Sequence, residues 1–386
     1  MALFETPSVS PVERVSAASG RVASASGTWV LIGENVDHFG GVTLAGTVSL
    51  RAAAAVHPRS DGIISVVANG PLGQEFSAQL PYDDQPADGL ALRWWGLVHT
   101  LVQRQVLSRD TAGVDITVES DVPVGAGLGA LYAADAAIAL ALAGEHDDVD
   151  TAPFRARLAE ICSHAVATYS TLPVLRARHS VALRGADGVS VVDYADGSLT
   201  QAPHPSRHGV RVFSVSKELG APFTQSREAI AERRAFIDAA CSNFGVSSLR
   251  QLPDAPGRAV QWVEARRAAG DQAAPEPEAA RRWVQFCESE TLRSLAAAKA
   301  LRSRRANELF TLLNSPSESH GLASPDALVA LARERGAVAA RPAAIGTSDA
   351  VIAFVPVQEA DSFAAAMARE FEVVEVAAGE PARLEG

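Results

Sequence analysis

The feature that most constrains this chain is a strand–turn–helix unit near one third of its length. Val114 to Glu119 alternates, with Asp115 and Thr117 on a polar face. Pro123 to Gly129 then supplies a glycine-bearing turn, and Leu131 to Leu142 is a continuous Ala/Leu helix. A strand delivered into a helix through small residues requires a layered α/β arrangement, because each element has an apolar side to cover. The acidic run Gly144 to Asp148 ends the helix.

The rest of the chain repeats these ingredients without an internal repeat or heptad run. Strand patterns fall at Thr43 to Val56, Gly62 to Ala68 and Glu75 to Leu80, with a break at Pro81 to Pro86. Helical spacing marks Leu92 to Val102, where Trp94 and Trp95 are adjacent. Either one is buried and one exposed, or a second helix covers both. Further helices are predicted at Arg227 to Ala240, Val260 to Arg267, Glu278 to Leu301, Arg304 to Leu313 and Asp326 to Arg333. Val351 to Val355 and Glu372 to Val376 read as strands around a helix near Glu359 to Arg369. Gly270 to Pro277 reads as an internal loop. At 386 residues the length suits two domains. Proline and polar residues between His204 and His208 place the boundary there, giving 1–205 and 206–386.

Composition excludes several classes. Hydrophobic residues make up 47% and charged residues 20%, which is soluble globular usage. The net charge of −11 and the lack of a basic, aromatic stripe speak against a nucleic-acid partner. Cys162, Cys241 and Cys287 are far apart and form neither a disulfide framework nor a CxxC motif. No apolar run spans a membrane, and Met1 to Gly20 has no signal-peptide pattern, so a cytoplasmic protein is expected. His204 and His208 have HxxxH spacing, but Pro205 speaks against a shared helical face, so a metal site is not expected.

Three segments carry chemistry. In Leu31 to Gly41 an apolar lead meets Glu34 and Asp37, with the amide of Asn35 between them. Two carboxylates and an amide suit the hydroxyls of a sugar; a self-bonded polar turn is the alternative. In Val122 to Ala130, the residues Pro123, Gly125, Gly127, Gly129 and Ala130 precede a helix. Backbone N–H groups there suit a phosphate, although no GK[ST] follows as in a Walker A motif. Arg341 to Ala350 says nothing when taken alone.

Taken in order, these segments resemble the galactokinases of the GHMP kinase superfamily. Gly27 to His38 stands in the place of an opening motif of the type GRVNLIGEHTDY, and Val122 to Tyr132 in that of LPxGxGLSSSA. Glu232-Arg233-Arg234-Ala235 resembles the family's ERR helix, followed by Gly245 to Leu249. Glu318 to His320 and Ser324 to Leu328 resemble a later stretch, and Arg341 to Ala350 the glycine-rich third motif. The resemblance spans about Ser19 to Phe371. It implies an α/β (α+β) two-domain GHMP kinase fold: a ribosomal protein S5 domain 2-like N-terminal domain and a ferredoxin-like C-terminal domain. It also implies an ATP-dependent phosphotransferase with a sugar hydroxyl as acceptor.

The departures concern the reaction itself. Thr28 stands where the resemblance implies an arginine, and Arg21 is seven residues away. Ala177 falls where it implies an aspartate, and no Asp or Glu occurs between Leu172 and Gly185. His179 is the nearest substitute base; Asp193 and Asp349 are the carboxylates that could enter the cleft. Gly129-Ala130-Leu131 replaces serines that would serve Mg²⁺, and Tyr132 crowds the loop. Ala344, Ile345, Ser348 and Asp349 replace third-motif glycines, and Ile230 a sugar-contacting tyrosine.

The expectation is therefore a galactokinase-like protein with little or no kinase activity and no catalytic residues in place. Glu34, Asn35 and Asp37 would hold a sugar-like ligand, and the degenerate loop would bind ATP and Mg²⁺ weakly or not at all. A regulatory role with a protein partner follows from that reading. The alternative is an active kinase with a rearranged site.

Overall fold

A computed structural model describes the chain except for residues 1–3, 5–6, 17–19, 70–75, 112, 220–225 and 316–320. The first sheet contains β1 (Arg21–Ile32), β2 (Val42–Arg59), β3 (Ile63–Asn69), β4 (Phe76–Pro81), β5 (Gly113–Ser120), β6 (Val189–Asp193) and β7 (Ser198–Ala202). The second contains β8 (Val210–Ser216), β9 (Ala339–Pro342), β10 (Val351–Pro356) and β11 (Glu372–Glu375). The last strand, β12 (Arg383–Glu385), returns to the first sheet.

The first sheet runs β12-β1-β2-β5-β3-β4, with β6 on β2 and β7 on β6. Only β3 and β5 are parallel. The long strand β2 organises it: its Val42–Gly46 half pairs with β6 and its Ala52–Arg59 half with β5. Both faces of β2 are covered, which explains its run of alanines. Ala52 and Ala54 face the main core, while Ala53 and Ala55 pack on Val15 of the helix Pro11–Val15. Only a small side chain lets a backbone layer approach from both sides at once.

β1 was hidden in the sequence because its alternation puts serines inside. Ser24, Ser26 and Thr28 are fully buried, and Arg51 Nη1 and Nε donate to the Ser26 and Ser24 hydroxyls at 2.9 Å. Satisfied hydroxyls tolerate burial that their type would not suggest. The helices Ala152–Tyr169 and Arg176–Arg184 were also not foreseen. Trp94 and Trp95 of the helix Gly89–Gln103 are both buried: Trp94 packs on Phe76, and Trp95 on Tyr169 of the helix behind it. The second-helix alternative is the one realised. The expected strand Glu75 to Leu80 is β4; Glu75 itself lies outside the described residues.

The chain crosses between sheets at His204 to Gly209, a short 3₁₀ turn in which His204 packs edge-on against Trp29 at 5.7 Å. The second sheet runs β11-β8-β10-β9, all antiparallel. In chain order that is 4-1-3-2, the ferredoxin-like arrangement. Val351 to Val355 and the strand from Glu372 do share this sheet, around the helix Ala360–Met367. That helix and Asp326–Glu334 cover one face through Phe213, Phe363, Met367 and Leu328. Between β8 and that second helix come Arg227–Phe244, Ala255–Ala268, Pro277–Arg302 and Ala306–Asn314. The two-domain α/β fold expected from the sequence is the one observed.

Candidate functional site

The glycine loop follows β5. Gly125, Gly127 and Gly129 have φ of 94°, 68° and 68°, a region that side-chain-bearing residues rarely enter. Space enforces the choice as well. A Cβ on Gly127 would lie 2.5 Å from that of Ala343, and one on Gly129 would lie 2.7 Å from Thr28 Oγ1. The loop is pinned to both sheets: Thr28 N donates to Leu128 O at 2.8 Å, and Ser214 Oγ to Ala126 O at 2.5 Å. The helix Ala130–Ala143 then starts at Gly129 with no side-chain cap. A cavity of about 100 Å³ lies between this loop, Tyr132, Pro173, Arg178 and Ser348; Pro123, Gly125 and Ala130 also line it.

Tyr132 closes one side of that cavity by a tether. Its hydroxyl donates to Pro173 O and accepts from Leu175 N, both at 3.0 Å. Its ring lies under Arg178, 5.7 Å from the guanidinium carbon.

Arg178 is a residue that sequence reasoning passed over. It comes from the helix Arg176–Arg184 and is 3% exposed. It donates to Thr28 O, and its Nη2 to Gly127 O at 2.9 Å. Its guanidinium thus lies beside Thr28, where the resemblance implied an arginine. Burial pulls its pKa down, against the attraction of Tyr132 and Glu34. No local signal marked it: between Leu175 and Val181 it stands among Arg176, Ala177, His179 and Ser180.

The substitute bases sit as follows. Ala177 is 3% exposed among Val30, Ala45, Val181 and Val192. His179 is fully buried, with Nε2 3.0 Å from Asp135 Oδ2 and Nδ1 3.0 Å from Ser163 Oγ. Asp135 also accepts from Arg93 Nε and Nη2 and from Trp94 Nε1. Burial alone would raise the Asp135 carboxyl, but Arg93 and His179 hold it below its usual value. This Ser–His–Asp line is a packed network in which no side chain is more than 4% exposed. Asp193 ends β6 and pairs with Arg250 at 2.6 Å. Asp349 is half-buried beside the loop cavity without lining it, and burial raises its carboxyl. Arg21 pairs with Glu145 at 3.0 Å, at the far end of the helix Ala130–Ala143.

Glu34, Asn35 and Asp37 do come together, in the turn between β1 and β2. Glu34 is 1% exposed, and both its oxygens lie 3.0 Å from Arg341 Nη2. Asn35 adopts φ 59°, a conformation asparagine tolerates, and donates from Nδ2 to Ile345 O at 3.0 Å. Asp37 lies 3.6 Å from Arg234. Burial opposes its ionisation, yet Arg234, His38 and Arg176 together hold its pKa below the usual value. Asn35 Oδ1 and Asp37 Oδ2 are buried and accept no hydrogen bond from a described residue. The space bordered by these side chains, Ala177 and Tyr194 is about 10 Å³, room for one water at most.

Around it, Ile230 packs with Leu322 and Ile345. Arg234 of the Glu232-Arg233-Arg234 run donates to Val174 O, and Arg233 lies over the Trp283 ring at 5.9 Å. The Glu318 to His320 stretch lies outside the described residues. Among the described residues, no three His, Cys, Asp or Glu side chains gather as metal ligands. His204 instead accepts from Ser206 N within its own turn, at 3.2 Å.

Residues 12–58 match the galactokinase galactose-binding signature. The galactokinase of Streptomyces coelicolor is 27% identical over 301 residues, covering 74% of this chain and 72% of that protein. Among solved structures, Lactococcus lactis galactokinase complexed with galactose superposes with a TM-score of 0.75. The identity is 15%, over 96% of this chain and 98% of that one. The Methanococcus jannaschii mevalonate kinase matches at a TM-score of 0.53 and 12% identity, over 96% and 99%. The signature falls on the segment that bears Glu34, Asn35 and Asp37, and the fold match extends through the second sheet. In sequence the chain is thus similar to galactokinases, and its fold is that of the GHMP kinases.

Proposed function

We propose that this protein transfers phosphoryl groups to galactose very slowly or not at all, and acts by binding a small ligand or a partner. The observation that carries this reading is the environment of Ala177. No carboxylate lines the loop cavity among the described residues, and position 177 is packed in an apolar cluster. Phosphoryl transfer also needs its metal held and its charge balanced. Gly129, Ala130 and Leu131 offer no hydroxyl to Mg²⁺, so ATP-Mg²⁺ affinity is expected at about 1 mM or weaker, near −4.1 kcal/mol.

The galactose-binding signature and the galactose-bound relative support a sugar-like ligand at Glu34, Asn35 and Asp37. The space of about 10 Å³ supports a ligand only after that turn moves. We place the domain boundary at residues 205/206, at the crossing between sheets. No helix among the described residues is long and apolar enough to cross a membrane; a cytoplasmic protein without a nucleic-acid partner fits the acidic composition.

Arg178 favours a second reading, an active sugar kinase with a rearranged site, because it returns a cation to the position of Thr28. A coupled ADP-release assay with galactose and ATP-Mg²⁺ separates the two. Turnover of about 1 s⁻¹ or more, ordinary for an enzyme, makes the rearranged kinase the right description.

A further inference from the structure

We propose that the outer face of the helix Pro277–Arg302 is a self-association surface, on which a second copy of this chain packs its own helix antiparallel across a twofold axis. The inference goes beyond the binding reading above and does not depend on it.

The helix has 26 residues and runs about 39 Å. Its inner side is committed to the fold: Cys287, Ser294, Ala297 and Leu301 are buried, and Glu290 accepts from Gly33 N and Arg341. At 3.6 residues per turn, Gln285, Glu288, Leu292, Leu295, Lys299 and Arg302 fall within about 100° of arc on the other side. Leu292 is 67% exposed and Leu295 39%, and Leu292 is the most exposed large apolar side chain among the described residues. Two leucines side by side in water, rimmed by polar residues, are the kind of patch that marks a protein–protein contact.

The order of charges along this face selects the occupant. Leu292 and Leu295 flank a midpoint from which Glu288 and Lys299 are equally distant in sequence, as are Gln285 and Arg302. An antiparallel pair centred there sets Leu292 of one copy against Leu295 of the other, Glu288 against Lys299 and Gln285 against Arg302. The twofold axis makes each of these pairs twice. Parallel packing would instead oppose Lys299 to Lys299 and Glu288 to Glu288. Among the described residues, neither Glu288 nor Lys299 has an ion-pair partner, whereas Arg281 and Arg293 of the same helix pair with Glu278 and Glu290. Burial, with Asp254 nearby, raises the Glu288 carboxyl, and a cation from outside relieves it. Arg302 bonds neutral acceptors, Gln201 O and Thr200 Oγ1, and keeps its charge for a further partner. A protein of unrelated sequence has no reason to match this palindromic order. One helix pair is at the small end of specific interfaces, about 1,200 Å² or less, so the dimer is a weak one.

The test is sedimentation equilibrium of the full chain over a concentration series at low salt. A monomer–dimer equilibrium is expected, weakened by Leu292→Ser. Lys299→Glu alone and Glu288→Lys alone should each weaken it by about tenfold, because the axis turns two favourable pairs into two like-charge pairs. The double variant Glu288→Lys with Lys299→Glu restores the pairs with their signs exchanged and should dimerise within about threefold of the original chain. A chain that stays monomeric up to about 1 mM, a dissociation constant too weak for a specific contact, overturns the proposal. So do single variants that dimerise like the original, or a double variant as weak as the singles. Growth beyond the dimer also overturns it, in favour of a head-to-tail contact. Should the charge variants misfold, Leu292→Ser, which adds no charge, decides: dimerisation as strong as the original's refutes the surface. The readout is mass rather than turnover, so an active kinase would leave this result unaffected.

Discussion

Arg341 and Glu34 form an ion pair across the two domains, with one guanidinium nitrogen 3.0 Å from both carboxylate oxygens and each side chain at most 4% exposed. The same nitrogen lies 3.4 Å from Glu290, so a single arginine serves two buried carboxylates. Removing it strands Glu34, whereas Glu290 keeps Arg293 at 2.7 Å. Arg341→Met is expected to destabilise the protein by about 3–5 kcal/mol, read as a lower midpoint in urea. Glu34→Gln, which leaves Glu290 as a counter-ion, should lose less. Equal losses would mean that the Glu290 contact carries no weight.

Tyr132 should act as a tether and a wall through different atoms. Tyr132→Phe removes the hydroxyl that bonds Pro173 O and Leu175 N, a loss of about 1–3 kcal/mol for a newly unsatisfied buried amide. Its ring remains, so ATP-Mg²⁺ affinity should stay as it was. Tyr132→Ala removes the wall and should strengthen ATP-Mg²⁺ binding in calorimetry. An unchanged affinity in the alanine variant would place the obstruction in the glycine loop itself.

Acid sensitivity should come partly from His204. Burial pushes its imidazole down to about 4, against the attraction of Asp187. Above pH 6.5 it is neutral in both the folded and unfolded chain and contributes no pH dependence. Between 6.5 and 4 the unfolded chain takes up a proton that the folded one refuses. Stability therefore falls with pH across that window, by at most about 1.4 kcal/mol per unit from this group. His204→Asn keeps a side-chain acceptor for the turn and should flatten the decline between pH 7 and 5. An identical decline would assign it to another group, such as the buried His179.

Returning an arginine to position 28 should not return activity. Thr28 is fully buried, with the Arg178 guanidinium against it and the loop above. Thr28→Arg overpacks the site and sets like charges together, so destabilisation of about 1–3 kcal/mol or more is expected, without galactose-dependent ADP release. Measurable turnover in that variant would show that the missing cation was the main defect.

The loop and the carboxylate turn were legible in the sequence because glycine and paired acids carry their meaning locally. The ferredoxin-like sheet was legible in part, through two apolar strands around one helix. Arg178 was not, because its role depends on a fold that brings residue 178 to residue 28. β1 was not legible either: Ser24 and Ser26 look like surface residues until Arg51 and the C-terminal segment cover them. Nor could spacing reveal that Glu34 faces Arg341, a partner on the other domain.

The pairing of β12 with β1 has a consequence for how the protein is made. Ser24 donates to Glu385, 361 residues away, and Arg383, Leu384 and Glu385 complete the edge of the strand that emerges early from the ribosome. At synthesis rates of roughly 5–20 residues per second, that edge waits on the order of 20–70 s for its partner. Throughout that time the nascent chain presents an unpaired strand template, the kind of surface on which neighbouring chains associate. A chaperone that shields strand edges should therefore matter more to the yield of this protein than to its refolding once the whole chain is present.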